Sequence, residues 1–529
     1  MSTPQSTIKI CSGVRLDNRY EHSIYFSSAS AQQSYFAGKV VKTFPAYSYL
    51  RKTWPLQVQA TMEEAKSWSY LFFQNGTGKY YYYFITQVEY KNDNMVELTL
   101  ELDVLQTYLF DFEMLDCFVE RQHTTTDVIG EHTVDEGLEL GELVTVASKD
   151  VAMGDLCILV MATLDLGQVA SAGDLANIKW IASNYDGVFG GCGIFAIEAS
   201  NWSALGQLLM VIDNEGWSDS VVSIWMYPKK LVKLASAYDW STVVNRVSKI
   251  EPFTASVARP SSLNAHTPAN KKLLTYPYCM LYASNNAGTG ASYRFERFQD
   301  PTYCGFTITG ALTPEGVARM FPQNYNGEPM AYEHGMNLGG FPTCAWNSDI
   351  YKLWLAQNQN QMNMTGVSSA ITIAGGLITA IASAASGNAV GAMAGVGAMI
   401  GGGTQIGNLL AQKRDMEVQP PQAKGHASTS VNTVAGMQTF TLKTMTVTKE
   451  MAQILDKYLT MYGYRLNKVQ KPNLSARPAF TYIKTVGCNI SGAKFCTEDR
   501  VKITSIFDHG ITFWKNGDKI ADYSQSNTV

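Results

Sequence analysis

Between Lys352 and Lys413 the chain has no aspartate, glutamate, lysine, arginine or histidine. The same sixty residues, Leu353 to Gln412, hold no proline, and no aromatic residue follows Trp354. Charged residues normally make up about a quarter of a soluble chain. A stretch of this length without them must be buried, held against copies of itself, or placed in lipid. Charge is scarce elsewhere too, at 16% of 529 residues with a net charge of −4. The missing basic excess excludes a general nucleic-acid binder, although a neutral or acidic surface can guide DNA without gripping it. The nine cysteines (Cys11, Cys117, Cys157, Cys192, Cys279, Cys304, Cys344, Cys488 and Cys496) form no Cys-x-x-Cys pair. Their count is odd, and no histidine stands beside them at zinc-ligand spacing. Buried free thiols made in a reducing cytosol are the expectation. The N-terminus lacks a basic head followed by an apolar run, so no signal peptide is expected.

Enzyme motifs are missing as well. The seven histidines are far apart, with no HxxxH or HExxH among them. Gly190-Gly191-Cys192-Gly193 lacks the spacing and the following helix of a dinucleotide site and reads as a turn. His123 and His132 flank an acidic-polar loop with Glu131 and Asp135, better read as a solvated turn than as a metal site. The run Tyr80 to Tyr83 could stack on sugars or bases, but a strand with aromatic faces is the simpler reading. No catalytic residue, cofactor or metal is expected.

What is present suggests a mainly β chain with some α (α+β), long enough for several domains. We divide it into a β-rich domain at 1–150, an α/β insertion at 151–250, a second β-rich domain at 251–352, the apolar segment at 353–412, and a C-terminal β/α part at 413–529. Thr61 and Glu64 form a capping box, with Ala65, Trp68, Leu71 and Phe72 as the apolar face of the helix it opens. Tyr80–Tyr90 and Met95–Leu102 make a hairpin. Its second strand alternates Val96, Leu98, Leu100 and Leu102 with Glu97, Thr99 and Glu101, so one face is buried and the wet one is acidic. Asp103 is placed to cap the segment that follows. Leu156–Met161 and Val221–Tyr227 are strands, and 202–212 has helical spacing. Thr439–Val447 is a further strand. Lys449–Tyr462 is the clearest amphipathic helix, with Met451, Ile454, Leu455, Tyr458, Leu459 and Tyr462 on its apolar face. Strands recur around Tyr482 and Ile511.

The apolar segment divides into two spans, Gly366–Ala385 and Ala389–Leu410, joined by a turn at Ser386-Gly387-Asn388. Each is about as long as a bilayer core is thick, if helical. Both are weakly hydrophobic, because Ala and Gly dominate. Gly387, Gly391 and Gly395 form consecutive GxxxG steps that let helices approach closely, and Gly401 opens a run of three glycines. A Gly/Ala loop or a buried hairpin remains open on composition. Against a solvated loop stand Ile371, Ile373, Leu377, Ile378, Ile381, Val390, Met393, Val396, Met399 and Ile400, too many apolar residues to leave in water.

Several blocks resemble the tail-knob proteins of phi-29-like short-tailed phages. They are YYYYFITQVEYKNDNMVELTLELDVLQTYLFDF at 80–112, FVERQH at 118–123, VDEGLELGE at 134–142, NKKLLTYPYCML at 270–281 and FPTCAWNSDIYKLWLAQN at 341–358. KYLTMYGYRLNKVQKPNL and IFDHGITFWKNGDKIADYS follow in the C-terminal part. The resemblance implies a homohexameric tube at the distal end of the tail, with β-rich domains as its wall and genomic double-stranded DNA passing through without tight binding. It implies neighbours too: upper tail or collar proteins, a tail-tip or wall-degrading protein, and the host cytoplasmic membrane. The segment Met364–Gln412 would be the loop that plugs the lumen and then enters that membrane. A plain tube component sealed by its apolar segment is the alternative; a tail-associated wall hydrolase is a third reading that no motif supports.

Overall fold

The computed structural model describes residues 6–47, 55–166, 191–201, parts of 205–220, 220–345 apart from 287, 315, 341 and 342, and 439–529 apart from 493. The chain forms two compact units built from discontinuous segments. Unit 1 takes Met1–Val144, Ser261–Cys279 and Thr446–Val529; unit 2 takes Thr145–Pro260 and Met280–Met445.

Unit 1 holds two main sheets. The first is antiparallel and six-stranded, in the order Val40–Tyr47, Ser6–Ser12, Trp68–Gln74, Tyr80–Asn92, Met95–Leu102, Leu56–Val58. The hairpin is as expected from sequence, and Val96, Leu98, Leu100 and Leu102 are buried beneath it. Aromatic pairs across neighbouring strands bind this sheet: Phe73 stacks on Tyr81 and Tyr83 at 5.6 and 5.9 Å, and Phe36 from the helix Ala29–Ala37 stacks on Tyr70 at 5.1 Å. Each such pair contributes roughly 0.5–1.5 kcal/mol beyond its buried area. The second sheet runs His22–Ile24, Ile511–Trp514, Phe480–Val486, Cys117–Gln122, Tyr464–Gln470, with only its first pair parallel. Ile8, Phe36, Tyr70, Phe480 and Trp514 belong to one continuous hydrophobic cluster that both sheets share.

Two helical readings need correction, and one helix has no counterpart among them. Thr61 does form a capping box with Glu64, but the helix stops at Ala65. Trp68, Leu71 and Phe72 lie instead on the strand Trp68–Gln74. That strand is buried on both faces, so it shows no alternation, and its apolar residues fall by chance at helical spacing. In the helix Lys449–Tyr462 the residues that go inside are Ala452, Leu455, Asp456 and Leu459, while Ile454 is 62% exposed. A third helix, Thr497–His509, escaped the sequence reading: its cap residue Cys496 makes no side-chain hydrogen bond, and its buried residues include Asp499 beside Ile503, Ile506 and Phe507. Asp103, by contrast, caps Val104–Tyr108 as expected, accepting from Gln106 N–H at 3.0 Å.

Unit 2 is built on Leu156–Ala162, a fully apolar central strand flanked by Gly193–Glu198 and Val221–Pro228 in a six-stranded sheet. Leu205, Leu208 and Ile212 are helical and pack into its core. A five-stranded sheet around Tyr303–Thr309 and Val317–Tyr325 accompanies it. So does a four-stranded sheet, most of whose residues belong to unit 2, containing Thr439–Val447 and Cys279–Ser284.

Candidate functional site

The segment 353–412, with its membrane-active candidates from Ile371 to Gly401, lies outside the described residues. Within them, the densest chemistry sits in unit 1. It joins four of the sequence blocks quoted above, which lie far apart along the chain.

Glu136, from VDEGLELGE, is its centre. The Glu136 side chain is completely buried and forms ion pairs with Arg121 of FVERQH and Lys272 of NKKLL. It also accepts from Arg465 N–H at 2.9 Å. Arg121 turns its other nitrogen to Gly463 C=O at 2.8 Å. Gly463 has to be glycine: it holds φ +66°, and a Cβ there would meet the Gln122 and His123 backbone at 2.5 Å. Burial lowers the Lys272 ammonium below its usual value, against the pull of Glu136. One carboxylate therefore serves two buried cations, so removing it would leave both uncompensated.

Asp456 makes a second knot one step away. Its carboxylate accepts from Ala269 N–H at 2.9 Å, Asn270 N–H at 3.0 Å and Asn270 Nδ2 at 2.8 Å. His266 Nε2 lies 2.9 Å from the same carboxylate. This is why an aspartate replaces Ile454 on the inner face of its helix. Asp127 adds a third tie, accepting from Tyr464 OH at 2.6 Å and Lys271 N–H at 3.0 Å. All three carboxylates grip the segment Ser261–Cys279, which belongs to unit 1 although unit 2 supplies the chain on either side. The arrangement holds backbone at Ala269, Asn270, Lys271 and Arg465.

His123 closes one side of a cleft of about 760 Å³ that Asp456, Asn270, Arg477 and the tail Tyr523–Thr528 also line. His123 Nδ1 accepts from Tyr482 N–H at 2.7 Å, which leaves Nε2–H to donate to Thr460 C=O at 3.0 Å. Burial, with Arg477 and Arg121 nearby, pushes its pKa down to about 3. The ring is thus a neutral structural element, not part of a solvated loop. His132 does sit by that loop, with Nε2 3.3 Å from Thr126 C=O. Of the cysteines with described side chains, Cys11, Cys117, Cys157, Cys279 and Cys304 are buried, Cys192 and Cys488 are partly exposed, and Cys496 is exposed; none of these is in a disulfide.

The wet face of the hairpin is less acidic than its sequence suggests. Lys91 pairs with Glu97 at 3.0 Å and Glu89 at 3.3 Å. Glu101 accepts from Lys502 at 2.6 Å and Asn18 at 2.7 Å, which together hold its carboxyl below the usual range against the opposing effect of burial. Lys502 comes from the helix missed in the sequence, so its partnership with Glu101 could not be read from the hairpin alone.

Comparison with known proteins agrees with the blocks. Residues 241–528 match the family model for the C-terminal domain of the Bacillus phage phi29 tail knob protein gp9. Residues 4–113 match that for the N-terminus of caudoviral major tail proteins. The chain is 26% identical to the tail knob protein gp9 of Bacillus phage B103 and 24% identical to that of phage phi29, in each case over 99% of this chain and 98% of the relative. Its fold is similar to that of the bacteriophage C1 tail knob protein gp12, with a TM-score of 0.64 at 14% identity over 98% of both chains. This protein therefore belongs to the tail knob family of phi29-like phages, structural components of the phage tail.

Proposed function

We propose that six copies form the distal tail tube, that their apolar segments close the lumen before ejection, and that these segments then enter the host cytoplasmic membrane as a pore for the genome. The β-rich parts 1–150, 251–352 and 413–529 would make the wall, with 151–250 as an insertion. Family membership supports a place at the tail end. The observation that carries the membrane step is the charge-free stretch of sixty residues, Leu353–Gln412. Six weakly apolar hairpins can satisfy one another in the lumen and later exchange that contact for lipid. The ion-paired acids of the hairpin suit a surface past which DNA slides without being held.

Liposome leakage tests the membrane step. The assembled protein, once its loops are released, should permeabilise vesicles. A Leu377→Asp, Ile378→Asp double variant should not, since each charge at a helix centre costs roughly 2.5–3.5 kcal/mol. Leakage equal to wild type in that variant would rule out insertion through these spans. The dominance of Ala and Gly favours one competitor, a tube whose segment only seals the lumen. In that case no leakage appears from either protein, while images still show a six-fold ring with a lumen wide enough to pass a whole DNA duplex.

A further inference from the structure

Arg477 sits on the loop before the strand Phe480–Val486 and lines the cleft of unit 1 with only 3% of its surface exposed. Its backbone is anchored, since its N–H donates to Thr481 Oγ1 at 3.1 Å. Its guanidinium is poorly served. Nη1 reaches Asn527 C=O and Nη2 reaches Thr124 Oγ1, each at 3.4 Å. Nε is buried with no hydrogen-bond partner. Arg121, also buried, has the Glu136 carboxylate; among the described residues Arg477 has none. Burying a cation without a counter-charge is costly.

The acids around the cleft are committed elsewhere. Asp456 is ringed by Ala269 N–H, Asn270 and His266. Asp522, next to the lining residue Tyr523, pairs with Lys519 at 3.5 Å and accepts from Ser524 N–H at 3.2 Å. A second cation lines the cleft. Lys457, exposed on the helix Lys449–Tyr462, also lacks a carboxylate partner among the described residues. Ser524, Ser526 and Thr528 of the tail bring hydroxyls to the same space. Asn527 pins that tail, its Oδ1 accepting from Ala479 N–H at 3.0 Å and Phe480 N–H at 3.1 Å.

We propose that this cleft binds a small anionic ligand by its phosphoryl group, with Arg477 as the buried counter-charge, Lys457 as the exposed one, and the tail hydroxyls as further donors. A guanidinium presents paired N–H donors that match two oxygens of one phosphate. It is also more weakly hydrated than an ammonium, which suits the buried position to arginine and the exposed one to lysine. Arg477 helps to lower the His123 pKa, as a cation without a counter-charge does. The cleft, at about 760 Å³, is larger than bare phosphate needs and falls among the sizes of small-molecule sites. Met461 and the Tyr523 ring give it apolar wall for the organic part of a phosphoester. The site lies wholly within unit 1 and does not depend on the apolar segment.

The full-length protein is titrated with inorganic phosphate, glycerol 3-phosphate and dimethyl phosphate at constant ionic strength, with chloride as the reference salt. Calorimetry should find one ligand per chain, and the thermal midpoint should rise above its value in chloride as the ligand saturates. Arg477→Lys keeps the charge but loses the paired donors, and should abolish measurable binding. Lys457→Ala, at an exposed position, should weaken binding roughly tenfold, the loss of one charge-assisted contact; it decides the matter if the Arg477 variant does not fold. Preference for phosphate or glycerol 3-phosphate would assign the site to a free phosphate or monoester, and preference for dimethyl phosphate to a diester. The proposal is overturned if none of the three binds beyond chloride, or if binding is unchanged in folded Lys457→Ala or Arg477→Lys protein.

Discussion

The knot around Glu136 and the segment Leu353–Gln412 are opposite extremes of one chain. The first gathers two cations and one carboxylate where water is excluded. The second has no ionisable side chain at all. A buried charge has one acceptable arrangement, because its desolvation is offset only by correctly placed partners. Such a site fixes geometry and cannot change surroundings. A segment of Ala, Gly, Ile and Met has no such requirement. It can rest against its own kind or against hydrocarbon with little difference in free energy. On this reading the tail knob separates the two tasks: charge pins the frame, and its absence leaves one element free to change environment.

The comparison breaks first at Glu136. Glu136→Ala strands Arg121 and Lys272 and should lower the stability of unit 1 by about 3–5 kcal/mol, read by urea denaturation. A loss below about 1 kcal/mol would mean that the knot relaxes or hydrates and fixes nothing. The next largest effect is expected at Asp456. Asp456→Ala removes the partners of Ala269, Asn270 and His266 and should cost about 2–3 kcal/mol. It should also open the segment Ser261–Cys279 to limited proteolysis; resistance equal to wild type would show that Glu136 and Asp127 suffice to hold it.

How legible all this was in sequence depends on range. The capping box at Thr61, the hairpin ending at Leu102, the strand Thr439–Val447 and the helix Lys449–Tyr462 are set by neighbours within a few residues, and they were readable. Trp68–Gln74 was misread because burial on both faces erases the period of two. An apolar pattern selects Ile454 and passes over Asp456, because the partners that draw Asp456 inward lie near residue 270. The knot itself joins Arg121, Glu136, Lys272 and Gly463, so no window of sequence contains it. The one signal is indirect: the blocks FVERQH, VDEGLELGE, NKKLL and KYLTMYGYR each resemble the phage tail-knob family, and in the structure they meet.

A smaller effect should appear with pH. His123 is neutral in the fold, its pKa lowered from 6.5 to about 3. Below its ordinary value the unfolded chain takes a proton that the folded chain refuses, so stability is full above pH 6.5 and falls as pH drops toward 3. His123→Gln keeps a donor for Thr460 C=O and has nothing to titrate. The loss of stability between about pH 7 and pH 5 should therefore be about 1–2 kcal/mol smaller in the variant than in wild type. Parallel curves would mean that the ring is protonated in place, and the knot is wetter than its geometry indicates.

The smallest expected effect is none, and it tests the other half of the comparison. A peptide covering Thr365–Gln412, with blocked ends, carries no group that titrates between pH 5 and pH 8. If its association is driven by close glycine packing, its leakage of neutral vesicles should be flat across that range. Gly391→Leu with Gly395→Leu should then reduce leakage at every pH, because added bulk blocks helix approach even as it raises hydrophobicity. Leakage that rises with the leucines would assign the activity to bulk insertion and remove the case for glycine contact. Leakage that varies with pH would require charge from elsewhere in the chain or from the membrane, and the division of labour between a charged frame and an uncharged moving part would no longer hold.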